Sequence, residues 1–151
     1  MDVELSEAMF NLRETPIRDA IRHLGLPHGS RGLDVGCNIG LITRLLFETV
    51  SPGGRVTGVD ISPQYLEYAR ARAGPICADV DSQLTFVQGD VNSLPFKDNS
   101  FDWIWSMDTI WPGPPELGCP AADPQPLVRE LSRVVKPGGR IALLYLSLIH
   151  I

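Results

Sequence analysis

The chain has 151 residues, of which 44% are hydrophobic and 21% charged, a balance that fits one globular domain with a buried core and excludes disordered and fibrous proteins. The net charge of −5 and the lack of any run of Lys or Arg disfavour nucleic acid as a partner, because a phosphate backbone repels an acidic surface. No stretch of about 20 apolar residues occurs in the sequence, so we expect no membrane-spanning segment.

The cysteines indicate neither a disulfide framework nor a metal site. They are odd in number and lie about forty residues apart, which is not a metal-ligand spacing: Cys37, Cys77 and Cys119. The first residues are acidic and lack the basic and apolar regions of a secretion signal. We therefore expect a cytoplasmic protein in a reducing compartment, with no bound metal.

Three helices are predicted in the first half of the chain. The first and third each begin with a hydroxyl residue followed by proline, which supply an N-cap and a favourable first helical position: Thr15-Pro16 and Ser62-Pro63. The first helix is expected to end at Gly25 and the third at Gly74. Between them, apolar residues at helical spacing predict the second helix: Leu41, Ile42, Leu45 and Leu46.

Strands are predicted at five places, residues 31–35, 55–60, 84–88, 101–106 and 141–145. Six prolines between residues 111 and 126 exclude a regular element there. Helical spacing then returns and predicts a fourth helix, with apolar positions at Leu127, Val128, Leu131, Val134 and Val135. A turn over residues 136–139 is expected to lead into the last strand. Strands separated mostly by helices predict an α/β fold with a parallel sheet.

The most informative stretch is residues 33–40, where a buried strand runs through a glycine-marked turn into a helix. Gly36 and Gly40 stand where the bend needs a positive φ or where a ligand must touch bare backbone. The second strand ends in Asp60, which can accept hydrogen bonds from both hydroxyls of a ribose. Asp34 and Asp90 also follow or end strands. Each acid alone is also a common turn former, but three at the carboxyl ends of parallel strands predict a nucleoside-type ligand.

At these residues the chain resembles the class I S-adenosylmethionine-dependent methyltransferases. Residues 33–40 look like the family's acidic-x-Gly-x-Gly-x-Gly motif, and four further segments resemble its later motifs at the family's spacing: 59–63, 88–91, 94–102 and 127–139. The resemblance covers about residues 17–145. It implies a Rossmann-like, doubly wound, mainly parallel sheet with helices on both faces, lacking the last two strands of the family fold and thus C-terminally truncated.

The resemblance also implies how a cofactor, S-adenosylmethionine, is bound. Backbone in the glycine turn would lie against its methionine and sugar portions, and Asp60 would accept from the ribose hydroxyls. Ile61 would pack on the adenine, Asp90 would accept from the adenine amino group, and Val91 would offer a backbone contact. Ser106 and Met107 would lie near the sulfonium. The expected cofactor-binding residues are Asp34, Gly36, Cys37, Asn38, Gly40, Asp60, Ile61, Asp90, Val91, Ser106 and Met107.

Catalysis requires little of the protein, because the sulfonium already activates the methyl group and transfer depends on positioning. The expected products are S-adenosylhomocysteine and a methylated, small-molecule acceptor, and no general base is assigned. Asp108 lies nearest the expected reaction centre, although capping of the next turn also explains it. Trp111 either walls the acceptor pocket or packs under the proline-rich loop. Trp103 and Trp105 share one face of a strand, which favours core packing.

Two alternative functions remain open, one of them because of a departure from the family pattern. Asn38 stands where the family usually has glycine; Asn tolerates a left-handed φ, but its side chain narrows the expected site. A non-catalytic S-adenosylmethionine-binding module is therefore one alternative. An NAD(P)-dependent oxidoreductase is another, since it shares the strand, turn and ribose acid, but the sequence lacks the Gly-x-Gly-x-x-Gly pattern of that class.

The chain, residues 1–151, is expected to form a single domain, with an N-terminal helical segment at 1–30 and a cofactor-binding core at 31–145. The last six residues, 146–151, are also the translation of CTG TCT CTT ATA CAC ATC, which resembles a transposase mosaic-end adapter used in sequencing libraries. We hypothesise that they are adapter-derived and that the natural protein continues past Tyr145. A genuine short apolar tail is the alternative, and finding these codons in the source genome would establish it.

Overall fold

The computed structural model describes residues 3–77, 83–110 and 123–145. Four α-helices, one 3-10 helix and five strands occupy these residues. In chain order they are α1 (Val3–Leu24), β1 (Arg31–Val35), α2 (Leu41–Val50), β2 (Arg55–Asp60), α3 (Pro63–Ala73), a 3-10 turn (Gly74–Cys77), β3 (Leu84–Gln88), β4 (Phe101–Met107), α4 (Gln125–Val134) and β5 (Val135–Leu144). The strands therefore lie where the sequence predicts them, except that β5 begins earlier.

The strands form one parallel sheet in the order β3-β2-β1-β4-β5. Val35 pairs with Val59 on one side and with Ser106 on the other, so the carboxyl ends of β1, β2 and β4 lie in one row. The chain moves outward from β1 in both directions, which places the topological switch point between β1 and β4. This is where ligands bind in sheets of this kind.

Helices cover both faces of the sheet, as the sequence predicts. On one face, α1, α2 and α3 pack against the side of β4 that carries Trp103 and Trp105. This core cluster also includes Ile17, Leu46 and Leu66. On the other face, α4 packs against alternate residues of β1 and β4 in a second cluster that includes Leu33, Val35, Ile104, Leu127 and Leu131. The two apolar clusters hold the strand ends, and thus the turns that follow them, in fixed positions.

Helix α1 begins at Val3, twelve residues before the Thr15-Pro16 start that the sequence predicts. Pro16 lies inside the helix and lacks only the N–H that would bond to the Leu12 carbonyl, and Leu12 is 67% exposed, so water can replace that bond. Tertiary contacts support the extra turns: Phe10 packs on the core cluster and Glu7 accepts hydrogen bonds from Tyr68 and Arg72. These contacts override the local start signal.

Two further expectations at the C-terminal end need correction. Val128, predicted to lie on the apolar face of α4, is 44% exposed. Residues 136–139, predicted as a turn, lie within β5 as an irregularity: Phe101 pairs with Val135 and Trp103 with Arg140, so β5 carries extra residues between the two pairs. Gly138, with φ of 78°, supplies the left-handed conformation that this bulge requires.

Candidate functional site

The backbone N–H groups of the glycine turn between β1 and α2 are bonded to acceptors in β2 and in the turn itself. The N–H groups of Gly36 and Cys37 both donate to the Val59 carbonyl, at 2.8 and 3.0 Å. The Asn38 N–H donates to Oδ2 of Asp60 at 2.8 Å, and the Ile39 N–H to Oδ1 of Asn38 at 2.7 Å. Gly40 N–H donates to the Cys37 carbonyl at 2.9 Å. All five N–H groups of residues 36–40 are thus engaged within the protein, and the turn offers no cradle of N–H donors for a phosphate.

Positive φ angles shape this turn as the sequence predicts. Gly36 has φ of 76° and Asn38 has φ of 50°, so Asn38 does adopt the left-handed conformation that the family's usual glycine would take. A Cβ atom at Gly36 would lie 1.9 Å from Oγ1 of Thr109. Glycine is therefore required at position 36 by both conformation and space.

Asp60, at the end of β2, is held by two backbone donors. Its Oδ2 accepts from the Asn38 N–H and its Oδ1 accepts from the Ser62 N–H at 2.9 Å. Each carboxylate oxygen keeps a second lone pair, so the group can still accept two further hydrogen bonds. The two N–H groups fix the carboxylate before any ligand arrives.

A cavity of about 470 Å³, here named the β2–β3 cavity, lies beside this carboxylate. It is lined at the ends of β2 and β3 by Asp60, Ile61, Asp90 and Val91. Ile61 is 68% exposed, which leaves its side chain open for contact with a flat ring. Asp90 accepts from the backbone N–H and the side-chain amide of Asn92 through Oδ1, at 2.8 and 3.0 Å.

A second cavity of about 290 Å³, the α1–α2 cavity, lies on the other side of the glycine turn. Its walls come from α1, the turn, the start of α2 and the end of β4, and they include Asp34, Cys37 and Met107. Four residues line both cavities and form their common wall: Gly36, Asn38, Asp108 and Thr109. The two cavities are thus neighbouring halves of one site at the switch point of the sheet.

Asp34 is the buried acid of this site. It is 2% exposed, and its Oδ2 accepts a hydrogen bond of 2.6 Å from the Thr43 hydroxyl. Burial raises the pKa of Asp34 to about 7; the Thr43 hydrogen bond opposes the rise and the charge of Asp60 adds to it. Burial also raises the pKa of Cys37 well above its usual value, with further contributions from the charges of Asp34 and Asp60, so this thiol stays protonated and unreactive.

Asp108 follows β4 and forms an ion pair with Arg13 of α1. Its φ is 55° and its N–H donates to the Leu144 carbonyl at 2.9 Å. Both side chains line the α1–α2 cavity. The sequence singles out Asp108 but not Arg13, because one arginine among several on a helix carries no pattern that distinguishes it.

Two predicted residues lie outside both cavities. Gly40 borders the space beneath α1, α2 and α3, where a Cβ atom would lie 2.8 Å from the Phe86 ring, so close packing explains this glycine. Ser106 is buried, and its hydroxyl donates to the Val35 carbonyl at 2.9 Å. Trp111 and Cys119 fall outside the described residues. The other predicted residues, Asp34, Gly36, Cys37, Asn38, Asp60, Ile61, Asp90, Val91 and Met107, line one or both cavities.

Within residues 3–77, 83–110 and 123–145, no group of three His, Cys, Asp or Glu side chains is placed to hold a metal ion. None of the helices in the same residues is long and apolar enough to cross a membrane.

Comparison with known proteins identifies a family. Residues 33–143 match the family described as the methyltransferase domain. A demethylmenaquinone methyltransferase of Staphylococcus aureus is 34% identical over 127 residues, which are 84% of this chain and 47% of the relative. The chain therefore spans about half the length of the curated relatives that it matches.

Solved structures agree with this family. A chain of the complex between the Haloferax volcanii Trm112 methyltransferase activator and a methyltransferase is 32% identical, with a TM-score of 0.73, covering 91% of this chain and 54% of that one. An S-adenosylmethionine-dependent methyltransferase of Aquifex aeolicus is 26% identical, with a TM-score of 0.64, covering 80% of this chain and 58% of that one.

Proposed function

This chain belongs to the S-adenosylmethionine-dependent methyltransferases, and we propose that it binds S-adenosylmethionine across its two cavities and transfers the methyl group to a small-molecule acceptor. The sulfonium of the cofactor supplies the activated methyl group, which leaves the sulfur as the acceptor's nucleophilic atom bonds to it. The chain's own residues bind and orient the two partners. The products are S-adenosylhomocysteine and the methylated acceptor.

The observation that carries the proposal is the orientation of the Asp60 carboxylate. Two backbone N–H groups hold it at the wall of the β2–β3 cavity with one lone pair on each oxygen still available. A ribose presents two adjacent hydroxyls, which match these two acceptors. The exposed Ile61 side chain next to it supports a stacked adenine, and Oδ2 of Asp90, without a partner among the described residues, supports a bond from the adenine amino group.

The α1–α2 cavity supports the position of the methionine end. Asp34 opens onto it from the end of β1 and offers a carboxylate to a positively charged ammonium group. Met107, at the end of β4, places a polarizable thioether in the same cavity. The contact with Asp34 needs its ionised form, and burial raises the pKa of this carboxyl to about 7.

The same geometry disfavours a nicotinamide dinucleotide. That ligand needs free N–H donors at the turn to bind its pyrophosphate, but the N–H groups of residues 36–40 are all bonded within the protein. Asp60 adds negative charge beside the turn, which repels a pyrophosphate and attracts a cation.

For the acceptor, one guide is a relative that is named a demethylmenaquinone methyltransferase. In this chain, the α1 wall of the α1–α2 cavity carries the apolar side chains of Leu5, Met9 and Phe10, which suit an acceptor with an apolar ring. An acceptor screen should therefore begin with demethylmenaquinone, in its oxidised and reduced forms.

Titration calorimetry of S-adenosylhomocysteine tests the cofactor. We expect binding by the wild type, a loss of at least about 100-fold in affinity for Asp60→Ala, and a smaller loss for Asp60→Asn, which keeps one acceptor oxygen. Asp19→Ala, an exposed carboxylate paired with Arg22, is the matched control and should bind normally. Folded wild type that binds reduced nicotinamide dinucleotide instead would refute the proposal. Cofactor binding without turnover of any acceptor would indicate a non-catalytic module.

A further inference from the structure

The α1–α2 cavity contains a cationic side chain, Arg13, that the binding scheme above does not use. Among the described residues that line it, Arg13 is the one cation, and Asp34 and Asp108 are the anions. Arg13 is partly buried, with 18% of its side chain exposed, and it comes from a different element than either acid. A guanidinium beside two carboxylates in one small cavity fits a ligand end that carries both an ammonium and a carboxylate.

The Arg13 guanidinium is positioned by two contacts. Its Nε donates to the Met9 carbonyl at 3.1 Å, and its Nη1 forms the ion pair with Asp108. Nη2 has no partner within the described parts of the chain. Because an arginine carries five N–H donors in a planar fork, it can bind a second carboxylate through its outer edge.

We propose that Arg13 binds the α-carboxylate at the methionine end of the cofactor, so that α1 contributes the residue that distinguishes an amino-acid end from a plain amine. The ligand carboxylate takes the outer edge of the guanidinium, and Asp108 either shares the guanidinium or turns to the ligand's ammonium group. This inference rests on the proposed function, because it assigns a residue to the same site.

Carboxylate is favoured over phosphate as the partner of Arg13 by the charge of the cavity. When Asp34 is ionised, two acids and one base leave a net negative charge in the cavity, which a dianion would increase and a zwitterion leaves unchanged. The carboxylate could come from the cofactor or from an acceptor. The experiment distinguishes these two sources by removing the carboxylate from the cofactor alone.

The experiment compares S-adenosylmethionine with decarboxylated S-adenosylmethionine by titration calorimetry. We expect the wild type to prefer the intact cofactor by about 10- to 100-fold, the size of a charge-assisted contact. Arg13→Gln should lose this preference by binding the intact cofactor more weakly and the decarboxylated one unchanged. Arg18→Gln, an exposed arginine of the same helix paired with Glu14, should keep it.

A second variant separates binding from folding. Asp108→Asn breaks the same ion pair as Arg13→Gln but leaves the guanidinium in place, so it should keep the preference for the carboxylate even if both variants melt at a lower temperature. An Arg13→Gln variant that retains the preference, or that weakens both ligands equally, overturns the inference while the proposed function stands. Failure of the wild type to bind either ligand overturns the proposed function itself.

Discussion

The Thr43 hydroxyl donates a hydrogen bond of 2.6 Å to Oδ2 of Asp34, and both residues are buried where β1 meets α2. Among the described residues, the Thr43 hydroxyl is the side-chain donor that compensates this carboxylate for the water excluded by burial. Burial raises the pKa of Asp34 from 3.8 to about 7, which makes the charge of this residue sensitive to pH in the neutral range.

This pKa predicts how stability changes with pH. The unfolded carboxyl loses its proton near pH 3.8 and the folded one near pH 7, so between these values the folded state binds more protons and its stability falls as pH rises. We expect the free energy of unfolding of the wild type, relative to Asp34→Asn, to fall by roughly 3 to 4 kcal/mol from pH 4 to pH 8. Urea denaturation of both proteins across this range measures it, and a difference that does not change with pH would contradict it.

Asn38 predicts a contrast between two small substitutions. Asn38→Ala loses the hydrogen bond to the Ile39 N–H and leaves a residue less suited to a φ of 50°, so we expect a loss of about 1 to 2 kcal/mol. Asn38→Gly loses the same bond but gains freedom at positive φ, and its stability should stay within about 0.5 kcal/mol of wild type. Chemical denaturation tests both. Equal losses for Ala and Gly would show that the backbone conformation is not what Asn38 supplies.

Gly36 and Gly25 form a matched pair for a steric prediction. Both have positive φ, 76° and 55°, but a Cβ atom at Gly36 would overlap Thr109 whereas one at Gly25 has nothing within 4 Å. Gly25→Ala should cost about 1 kcal/mol from conformation alone. Gly36→Ala should cost at least about 2 kcal/mol more and should weaken S-adenosylhomocysteine binding, because Thr109 is forced out of the common wall. Thermal melts with similar shifts for both variants would refute the close contact.

The two indoles of β4 predict a difference that isolates one hydrogen bond. Trp103 Nε1 donates to the Ser30 hydroxyl at 2.9 Å, whereas Trp105 Nε1 is buried and has no partner within the described residues. Replacement by Phe removes a similar volume at both sites, but Trp103→Phe alone loses a bond. We expect Trp103→Phe to be less stable than Trp105→Phe by about 1 kcal/mol or more. If urea denaturation ranks them the other way, a partner for Trp105 must exist.

Local signals were sufficient for the strands and for the turn that starts the site. Short, mainly apolar runs bounded by glycine and polar residues placed β1, β2 and β3 at their observed bounds, because strands covered on both faces are largely apolar. The left-handed Asn38 was likewise predicted, because the family usually has glycine at this position and Asn tolerates a left-handed φ. The carboxyl ends of parallel strands meet at one edge, so Asp34, Asp60 and Asp90 could be assigned to one site without knowing the strand order.

Contacts between distant segments could not be predicted from the sequence. The first twelve residues of α1 are helical because Phe10 and Glu7 meet partners on the core and on α3, and no local pattern encodes those partners. Arg13 reaches Asp108 across 95 positions for the same reason. Gly40 was predicted to bind the cofactor. A glycine in a turn is explained either by contact with a ligand or by close packing, and only the structure shows that the Phe86 ring fills the adjacent space.

The wall common to the two cavities, formed by Gly36, Asn38, Asp108 and Thr109, has a thermodynamic consequence. A ligand that spans both cavities loses its translational freedom only once, so the binding of either end raises the effective concentration of the other at its own cavity. Adenosine and methionine, supplied as separate molecules, should therefore each bind far more weakly than the joined compound. The chelate effect, more than any single contact, would then set how tightly the whole molecule is held.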